Sequence, residues 1–362
     1  MLDYLIVGAG FYGATCARIL SDAGKSVRVI DKNDYFGGNC KTTLVNQIVR
    51  HDFGPHVFHT NNEEVWSFVS KYATFVPFTL RVKAVNGGIY SFPINLLTLY
   101  QVFGVKTIED ARVAIANDLV HFDKPANFEE QALATVGKTL YNLFYKGYTT
   151  KQWQTDPKNL SADLFNRLPV RFTFDDNYFL KHRSKYCGVP VFGYSDLIRN
   201  MLNGVPCDLS TSFNIQDVKN YKKIIFTGSP DSLLNSTYGQ LPYRSLRFDH
   251  QTLPTDDFQG AAVINFTNEN VPYTRITEHK HFNPQQTDHT IITYEYPANI
   301  EETNNPLYPI NNVVNNALYS KYVDEIGKKY PNIILGGRLG LYQYLDMDQA
   351  IEKAMIMCTE LI

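Results

Sequence analysis

The sequence predicts an α/β fold in which a βαβ core carries a helical insertion and an antiparallel β-sheet region. Residues 2–31 have the pattern strand, tight turn, helix, strand. Between residues 95 and 150, apolar side chains recur at helical spacing. Beyond residue 170, short runs of β-branched and aromatic residues are bounded by Gly, Pro and Asn, which is typical of strands.

Composition and charge restrict the class of protein. The 362 residues are 44% hydrophobic, so the chain can bury a sizeable core and is long enough for about two or three domains. Its formal charge of -2 provides no basic field for binding nucleic acids or acidic membranes. No stretch approaches the roughly 18 apolar residues of a membrane helix. The five cysteines show no C-x-x-C spacing, so we expect a cytoplasmic protein without a metal site.

The first element is a strand at residues 2–7 that leads into a glycine-rich turn. Gly8, Gly10 and Gly13 form a G-x-G-x-x-G pattern, and Asp31 ends the next strand at about the expected interval of roughly 20 residues. Glycines allow a tight turn and a close approach of pyrophosphate, whose charge faces the helix N-terminus, while the acid accepts hydrogen bonds from ribose hydroxyls. The pattern therefore predicts a Rossmann-like dinucleotide-binding domain.

FAD and NAD share this fingerprint, so the choice between them depends on two further segments. Gly37, Gly38 and Asn39 extend the motif to a second glycine pair, as in FAD enzymes of the glutathione-reductase-like group. Residues 336–338, Gly-Gly-Arg, precede a terminal helix and form a second strand-to-helix junction. Such a junction can present backbone N–H groups to a phosphate or a flavin edge. We therefore expect FAD, held by both ends of the chain.

The remaining elements follow from capping and periodicity. Thr107 and Asp110 resemble a capping box with Asp in place of Glu or Gln, and Asn127 is a candidate N-cap. The helix after Asn127 carries its apolar residues at Leu133, Val136, Leu140 and Phe144. Strands are predicted at residues 223–227, 261–266, 290–296 and 333–335, and a closing helix at residues 346–362.

Several uncommon strings occur in order along the chain. They include Gly54–Thr60 (GPHVFHT), Lys146–Trp153 (KGYTTKQW), Arg167–Tyr178, Val271–Lys280 and Gly337–Met347. Over nearly the whole chain, this set resembles the bacterial-type UDP-galactopyranose mutases, which are flavin-dependent. The resemblance implies an FAD that is active in the reduced form, with N5 of the flavin attacking the sugar anomeric carbon. UDP-galactopyranose and UDP-galactofuranose then interconvert without net redox, which supplies galactofuranose for glycan biosynthesis.

The resemblance also implies a set of site residues. Arg167 and Arg275 match the two pyrophosphate arginines, and the guanidinium fork suits bidentate phosphate contacts. His56, which in the family lies beside the flavin, completes the candidate catalytic set. The candidate substrate-binding residues are Phe144, Tyr148, Thr149, Trp153, Arg167, Tyr178, Arg244, Asn265, Arg275, Glu295, Tyr308 and Tyr344. The candidate cofactor-binding residues are Gly8, Gly10, Phe11, Tyr12, Gly13, Asp31, Lys32, Gly38, Asn39, His56, Val57, Arg338, Tyr344, Asp346 and Met347.

Considered without the resemblance, these residues have simpler interpretations. Aromatic residues at helical spacing are usually core, a lone arginine is usually a surface ion-pair residue, and His56 with His59 suits a structural pair. The run Glu278–His281 is interpreted as a solvated polar edge of a strand rather than a metal site. One departure from the family is Leu80, where many relatives have Asn, so a uridine or sugar contact differs here.

The expected organisation has four segments: residues 1–80 (first FAD-binding part), 81–165 (mainly helical substrate and lid domain), 166–325 (mixed FAD-binding and antiparallel-sheet substrate region) and 326–362 (C-terminal FAD-binding strand and helix). The expected partners are the UDP-sugar, an electron donor such as NAD(P)H or a reductase, and a second copy of the chain in a homodimer. Two alternative functions remain, an FAD-dependent amine oxidase-like oxidoreductase and an inactive nucleotide-sugar binding protein.

Overall fold

The computed structural model describes residues 2–165, 170–179, 184–303 and 305–362. The chain forms two compact units, each assembled from separate segments. Unit 1 comprises Met1–Pro77, His182–Ser245 and Asn299–Ile362, and unit 2 comprises Phe78–Lys181 and Leu246–Ala298.

The elements are numbered along the chain. The strands are β1 (Leu2–Val7), β2 (Val27–Ile30), β3 (Thr42–Val45), β4 (Ile48–His51), β5 (Phe58–Thr60), β6 (Phe75–Pro77), β7 (Val82–Val85), β8 (Ile89–Phe92), β9 (Tyr186–Pro190), β10 (Cys207–Asp208), β11 (Tyr221–Phe226), β12 (Tyr243–Leu253), β13 (Val263–Phe266), β14 (Arg275–Glu278), β15 (Thr290–Asn299), β16 (Tyr308–Pro309) and β17 (Ile333–Leu335). The helices are α1 (Phe11–Asp22), α2 (Glu63–Val69), α3 (Leu96–Phe103), α4 (Ile108–Asp118), α5 (Phe128–Leu140), α6 (Gly147–Trp153), α7 (Tyr194–Met201), α8 (Pro230–Leu233), α9 (Ile300–Thr303), α10 (Val313–Lys329), α11 (Gly337–Gly340) and α12 (Met347–Leu361).

Unit 1 is built on a parallel sheet with the strand order β10-β2-β1-β11-β17. The buried parts of its central strands, residues 4–6 of β1 and 224–226 of β11, are continuous apolar runs, as expected for strands covered on both faces. Helices α1 and α12 share one buried cluster, in which Ala17 and Leu20 pack with Ile351 and Ala354. The predicted βαβ unit and the predicted closing helix are therefore confirmed, and the two ends of the chain meet in one core.

Unit 2 contains the strands β15, β14 and β13 in antiparallel succession, followed by β7 in parallel and β8. Strand β12 begins in unit 1, where it pairs with β16, and its remaining residues belong to unit 2. Helices α3 to α6 form the predicted helical insertion. Thr107 caps α4 by accepting from Asp110 N at 3.1 Å, and Asn127 caps α5 by accepting from Glu130 N at 3.0 Å, which confirms both predicted caps.

Several elements were not predicted from the sequence. Gly137 adopts φ 82°, which interrupts the helical backbone of α5, and a π-helix follows at Tyr141–Lys146. Glycine suits this position because its left-handed conformation costs little without a Cβ. The 11-residue strand β12 and the 17-residue helix α10 were not predicted.

Among the residues described, no helix is both long and apolar enough to cross a membrane.

Candidate active site

The glycine-rich turn of unit 1 joins β1 to α1. Gly8 has φ +117°, and a side chain there would overlap Thr227 Oγ1. A side chain at Gly13 would overlap the carbonyl oxygen of Gly8. At Gly10 the nearest atom to an added Cβ is Gly37 O, 3.9 Å away. Gly8 and Gly13 are thus required by packing within the protein, whereas Gly10 leaves space beside the helix N-terminus.

The N-terminus of α1 is suited to an anion. Gly10 is its N-cap, and the first turn contains no acidic residue, so the partial positive charge of the helix end is not neutralised locally. Phe11 packs against Phe58 and Tyr194 at ring separations of 6.3 and 6.0 Å, and Tyr12 is buried as well. The side chains of Phe11 and Tyr12 therefore belong to the core, so a ligand could contact these two residues only through their backbone.

Asp31 is buried directly after β2 and shapes the glycine turn. Its Oδ2 accepts from Ala9 N at 2.7 Å, and its Oδ1 accepts from Asn33 N at 2.8 Å and Asn33 Nδ2 at 2.9 Å. A carboxylate has about four lone-pair sites, so these three bonds leave acceptor capacity for a ribose hydroxyl. The neighbouring Lys32 is exposed.

The second glycine pair lies against the first turn, as the extended motif predicts. Gly37 N donates to Ala9 O at 3.0 Å, and Gly37 and Gly38 both have positive φ. A Cβ added to Gly38 would lie 3.6 Å from the Cα of Gly10. Asn39 Nδ2 donates to Pro306 O at 3.2 Å. Residues 37–39 therefore line the same open space as Gly10.

The C-terminal junction brings four candidate residues together within unit 1. The guanidinium of Arg338 lies 4.6 Å from the ring centroid of Tyr344, which stacks on Tyr308 at 5.9 Å. Arg244 is the register partner of Tyr308 across β12 and β16, and burial lowers the pKa of Arg244. Arg338 is held by Leu307 O and Leu345 O at 3.3 and 2.7 Å, and the following helix α12 begins at Met347 with Asp346 as its N-cap.

These features fit FAD. The open cradle at Gly10, the helix end without an acidic residue and the remaining acceptor capacity of Asp31 suit a diphosphate and a ribose. The residues that would hold the group are the glycine turn, Asp31, residues 37–39 and the Arg338 junction. All of them lie in unit 1.

His56 lies in the turn between β4 and β5, and both of its backbone polar atoms, N and O, form hydrogen bonds with buried side chains. His56 N donates to His51 Nδ1 at 3.0 Å, and His56 O accepts from the Tyr194 hydroxyl at 3.0 Å. His51 is 2% exposed, and burial lowers its pKa to about 4, which keeps the imidazole neutral. His51 and Tyr194 were not among the predicted residues. His56 was expected to form a structural pair with His59, whereas its imidazole stacks on that of His51. The adjacent Val57 is buried.

In unit 2, three candidate residues form a row across neighbouring strands. Asn265 on β13 is the register partner of Arg275 on β14, which is the register partner of Glu295 on β15. Register partners project from the same face of a sheet. Arg275 Nη2 lies 2.8 Å from Glu295 Oε2. Glu295 is fully buried, and this burial raises its pKa although Arg275 opposes the shift.

Helix α6 adds Tyr148 to this row. Burial raises the pKa of Tyr148, while the charge of Arg275 lowers it and that of Glu295 raises it. Thr149 is buried, and Trp153 is the last residue of α6. Phe144 is packed in the core, with its ring 5.3 Å from that of Tyr90.

Three further positions complete the comparison with the predicted site. Tyr178 N donates to Leu80 O at 2.8 Å, so the departure at Leu80 contacts a candidate substrate residue through its backbone. Leu80 itself is buried. Arg167 lies outside the described residues.

The interpretation of Glu278–His281 as a solvated strand edge is wrong. Glu278 and His279 are buried, and Glu278 accepts from Phe258 N and Gln259 N, both at 2.9 Å. His281 Nε2 lies 3.4 Å from Glu278 Oε2 and 3.3 Å from Asp257 Oδ2. The chain folds the loop after β12 over this carboxylate, a long-range contact that the local sequence does not indicate.

The chain is similar to several known proteins. Residues 143–344 match the family described as UDP-galactopyranose mutase, and residues 6–72 match the NAD(P)-binding Rossmann-like domain. The Klebsiella pneumoniae protein named "Probable UDP-galactopyranose mutase" is 41% identical over 99% of this chain and 94% of its own length. The Escherichia coli dTDP-fucopyranose mutase is 40% identical over 100% of this chain and 98% of its own length.

Solved structures agree in fold. A crystal structure of reduced UDP-galactopyranose mutase matches with a TM-score of 0.79 at 17% identity, covering 100% of this chain and 94% of that one. A cofactor-binding redesign of putrescine oxidase matches with a TM-score of 0.58 at 12% identity, covering 99% and 98%. These two likenesses show the fold, and the Rossmann-like match shows a dinucleotide-binding domain within it. Because the family match spans more than half of the chain and the Klebsiella relative is 41% identical over nearly all of it, the chain belongs to the UDP-galactopyranose mutase family of isomerases.

Proposed function

We propose that the protein interconverts UDP-galactopyranose and UDP-galactofuranose, using FAD in its reduced form. The observation that carries the proposal is the row formed by Asn265, Arg275 and Glu295, in a chain whose unit 1 has the glycine turn and the buried Asp31 of a dinucleotide-binding motif. The names of the Klebsiella and E. coli relatives support a reaction on a sugar attached to a nucleoside diphosphate.

Arg275 is the residue suited to the diphosphate. Its planar guanidinium fork suits bidentate contacts with phosphate oxygens, and 23% of its side chain is exposed. Charge-assisted bonds from a guanidinium strengthen as negative charge develops on a departing diphosphate. The fully buried carboxylate of Glu295 contacts the guanidinium from the interior of the protein and so orients it. Tyr148 and Asn265 would supply neutral polar contacts beside it.

When bound, reduced FAD supplies the nucleophilic nitrogen of the reaction, for which we assign no side chain. The protein's task in unit 1 is then to hold the cofactor rigidly. The glycine turn and Asp31 receive its diphosphate and ribose, while His51 and Tyr194 fix both polar atoms of the His56 peptide. Arg244, Tyr308 and Tyr344 are assigned to the sugar-nucleotide side.

The choice of substrate is tested by comparing two nucleotide sugars. Relatives of almost equal identity, 41% and 40%, are named for UDP-galactopyranose and dTDP-fucopyranose. We expect kcat/KM for UDP-galactofuranose to exceed that for dTDP-fucofuranose. The reverse ratio would keep the mutase chemistry and overturn the assigned substrate.

The reaction itself is tested by incubating the dithionite-reduced enzyme with UDP-galactofuranose and separating the products by chromatography. We expect UDP-galactopyranose from the reduced enzyme, many turnovers for each electron pair, and no product from the oxidised enzyme. Reconstitution with 5-deaza-FAD, which has carbon at position 5, should preserve binding and abolish turnover. Oxygen uptake in proportion to product would identify an oxidase, and binding without product would identify an inactive sugar-nucleotide binding protein.

The electron donor, the oligomeric state and the compartment belong to the same proposal. We assign NAD(P)H or a reductase as the donor, a homodimer as the working form and the cytoplasm as the location. Anaerobic bleaching of the flavin by NADPH and the mass of the protein in solution test the first two assignments.

A further inference from the structure

Lys151 lies within α6 and contacts a cluster of backbone carbonyl groups. Its Nζ donates to the oxygens of Phe266, Asn268, Val271 and Tyr273 at 2.7, 2.8, 3.0 and 2.9 Å. All four oxygens belong to the end of β13 or to the turn that joins it to β14. An ammonium group has three donors, so these four acceptors use its whole hydrogen-bonding capacity.

The start of α6 is fastened to the same turn by separate contacts. A side chain at Gly147 would overlap Thr267 O, so the helix backbone is in close contact with the turn. The hydroxyl of Thr267 donates to Leu143 O at 2.7 Å, and Leu143 belongs to the π-helix that runs directly into α6. The β13–β14 turn, residues 267–274, therefore contacts α6 at two places: at Gly147, the first residue of the helix, and at Lys151, near the middle of the helix.

This arrangement connects Tyr148 with Arg275, the residue assigned to the diphosphate. Tyr148 precedes Lys151 by about one helical turn on α6, and its phenol senses the charges of Arg275 and Glu295. Arg275 is the first residue of β14, two positions after Tyr273, whose carbonyl Lys151 holds. The ammonium of Lys151 thus ties the helix that carries Tyr148 to the turn that precedes Arg275.

We propose that Lys151 is a positioning residue whose ammonium closes the β13–β14 turn and so sets Arg275 for the nucleotide diphosphate. This inference rests on the proposed function, because the diphosphate is the ligand assigned to Arg275. A cation suits this point because four carbonyl oxygens converge on it, and without the cation their partial negative charges would repel one another. Asn268 O also accepts from Val271 N at 3.3 Å. Rings of backbone carbonyls of this kind also replace the hydration shell of K⁺ in ion filters.

The test is Lys151→Ala with chemical rescue, measured in two ways on the flavin-loaded protein. Amide hydrogen exchange of residues 267–274 reports the turn itself, and the Kd for UDP reports Arg275. We expect faster exchange and a Kd about 10- to 100-fold higher, the range for a lost hydrogen bond to a charged group. Propylammonium, which replaces the missing side-chain atoms, should restore both, whereas tetramethylammonium at equal ionic strength should not because it has no N–H donor.

Two variants serve as controls. Lys146→Ala removes an exposed lysine just before α6 and should leave both readouts at the wild-type level. Lys151→Met keeps the apolar stem of the side chain and fills the space, so it should weaken UDP binding without responding to propylammonium. It also keeps the test available if Lys151→Ala does not fold.

Wild-type exchange and UDP affinity in Lys151→Met would overturn the inference. It would equally be overturned if Lys151→Ala lost affinity with unchanged exchange in residues 267–274, or if propylammonium failed to restore the folded variant. Failure of the wild-type protein to bind UDP would instead contradict the proposed function. Hydrogen exchange would still decide the role of Lys151, because it requires no substrate.

Discussion

Arg275 and Glu295 are direct neighbours across β14 and β15, with Nη2 2.8 Å from Oε2. Glu295 is fully buried, whereas 23% of the arginine side chain is exposed. The partly exposed guanidinium of Arg275 can therefore contact a ligand, while the buried carboxylate of Glu295 orients the guanidinium. This relationship gives Arg275 a structural role in addition to the proposed chemical one.

Replacing Arg275 should reduce both turnover and stability. Arg275→Ala removes a donor from the diphosphate, which should cost about 2 to 4 kcal/mol of transition-state stabilisation, or roughly 30- to 1000-fold in rate. It also leaves Glu295 buried without its ion-pair partner, a loss of roughly 3 to 5 kcal/mol in other proteins. Turnover of the reduced enzyme and urea unfolding measure the two effects.

The double variant Arg275→Ala/Glu295→Gln separates these effects, because the neutral amide removes the uncompensated charge. We expect it to recover stability but not turnover. Recovery of turnover in the double variant would show that Arg275 acts only on folding, and wild-type turnover in the single variant would remove it from the site.

Gly10 and Gly13 should respond differently to a bulky side chain. Gly10→Leu places its side chain in the open space of the cradle, so the protein should fold but lose FAD. Gly13→Leu collides with the backbone at Gly8, so it should lower the melting temperature as well. The ratio of flavin absorbance to protein and the thermal midpoint distinguish the two variants. A fully flavin-loaded Gly10→Leu protein would place the cofactor elsewhere.

His51 should make the protein sensitive to acid. Its folded pKa of about 4 is below the usual value of about 6.5, so between these values the unfolded chain binds a proton that the folded chain does not. Its contribution to stability is present above pH 6.5 and is lost as the pH falls towards 4, by about 3 kcal/mol in total. Urea unfolding of wild type and His51→Asn across this window should show a steeper pH dependence for wild type. Parallel curves would contradict the neutral, buried imidazole.

His281 should have the opposite dependence. The Glu278 carboxylate raises the pKa of His281, with smaller contributions from Asp257, although burial opposes the shift. Its stabilising contribution is fully present below the unfolded pKa of about 6.5 and is lost as the pH rises through the folded pKa. Unfolding midpoints of wild type should therefore fall across this range more than those of His281→Gln. Equal slopes would show that His281 gains no protonation preference from Glu278.

Local chemistry explains why part of this fold could be predicted. The turn at Gly8, Gly10 and Gly13 and the caps Thr107 and Asn127 depend on residues a few positions apart in the chain. Their conformations are therefore encoded where they occur. The family was also readable from strings distributed along the chain, and the comparisons confirm it.

By itself, the sequence determined the α/β class, the dinucleotide turn and the membership of the UDP-galactopyranose mutase family. Only the tertiary structure decided that Glu295 is the buried partner of Arg275, that His51 holds the His56 peptide, and that Glu278 is buried rather than solvated. The physical reason is that strand register and loop packing join residues distant in sequence, and a shift of one residue in register would reverse the face on which each side chain lies.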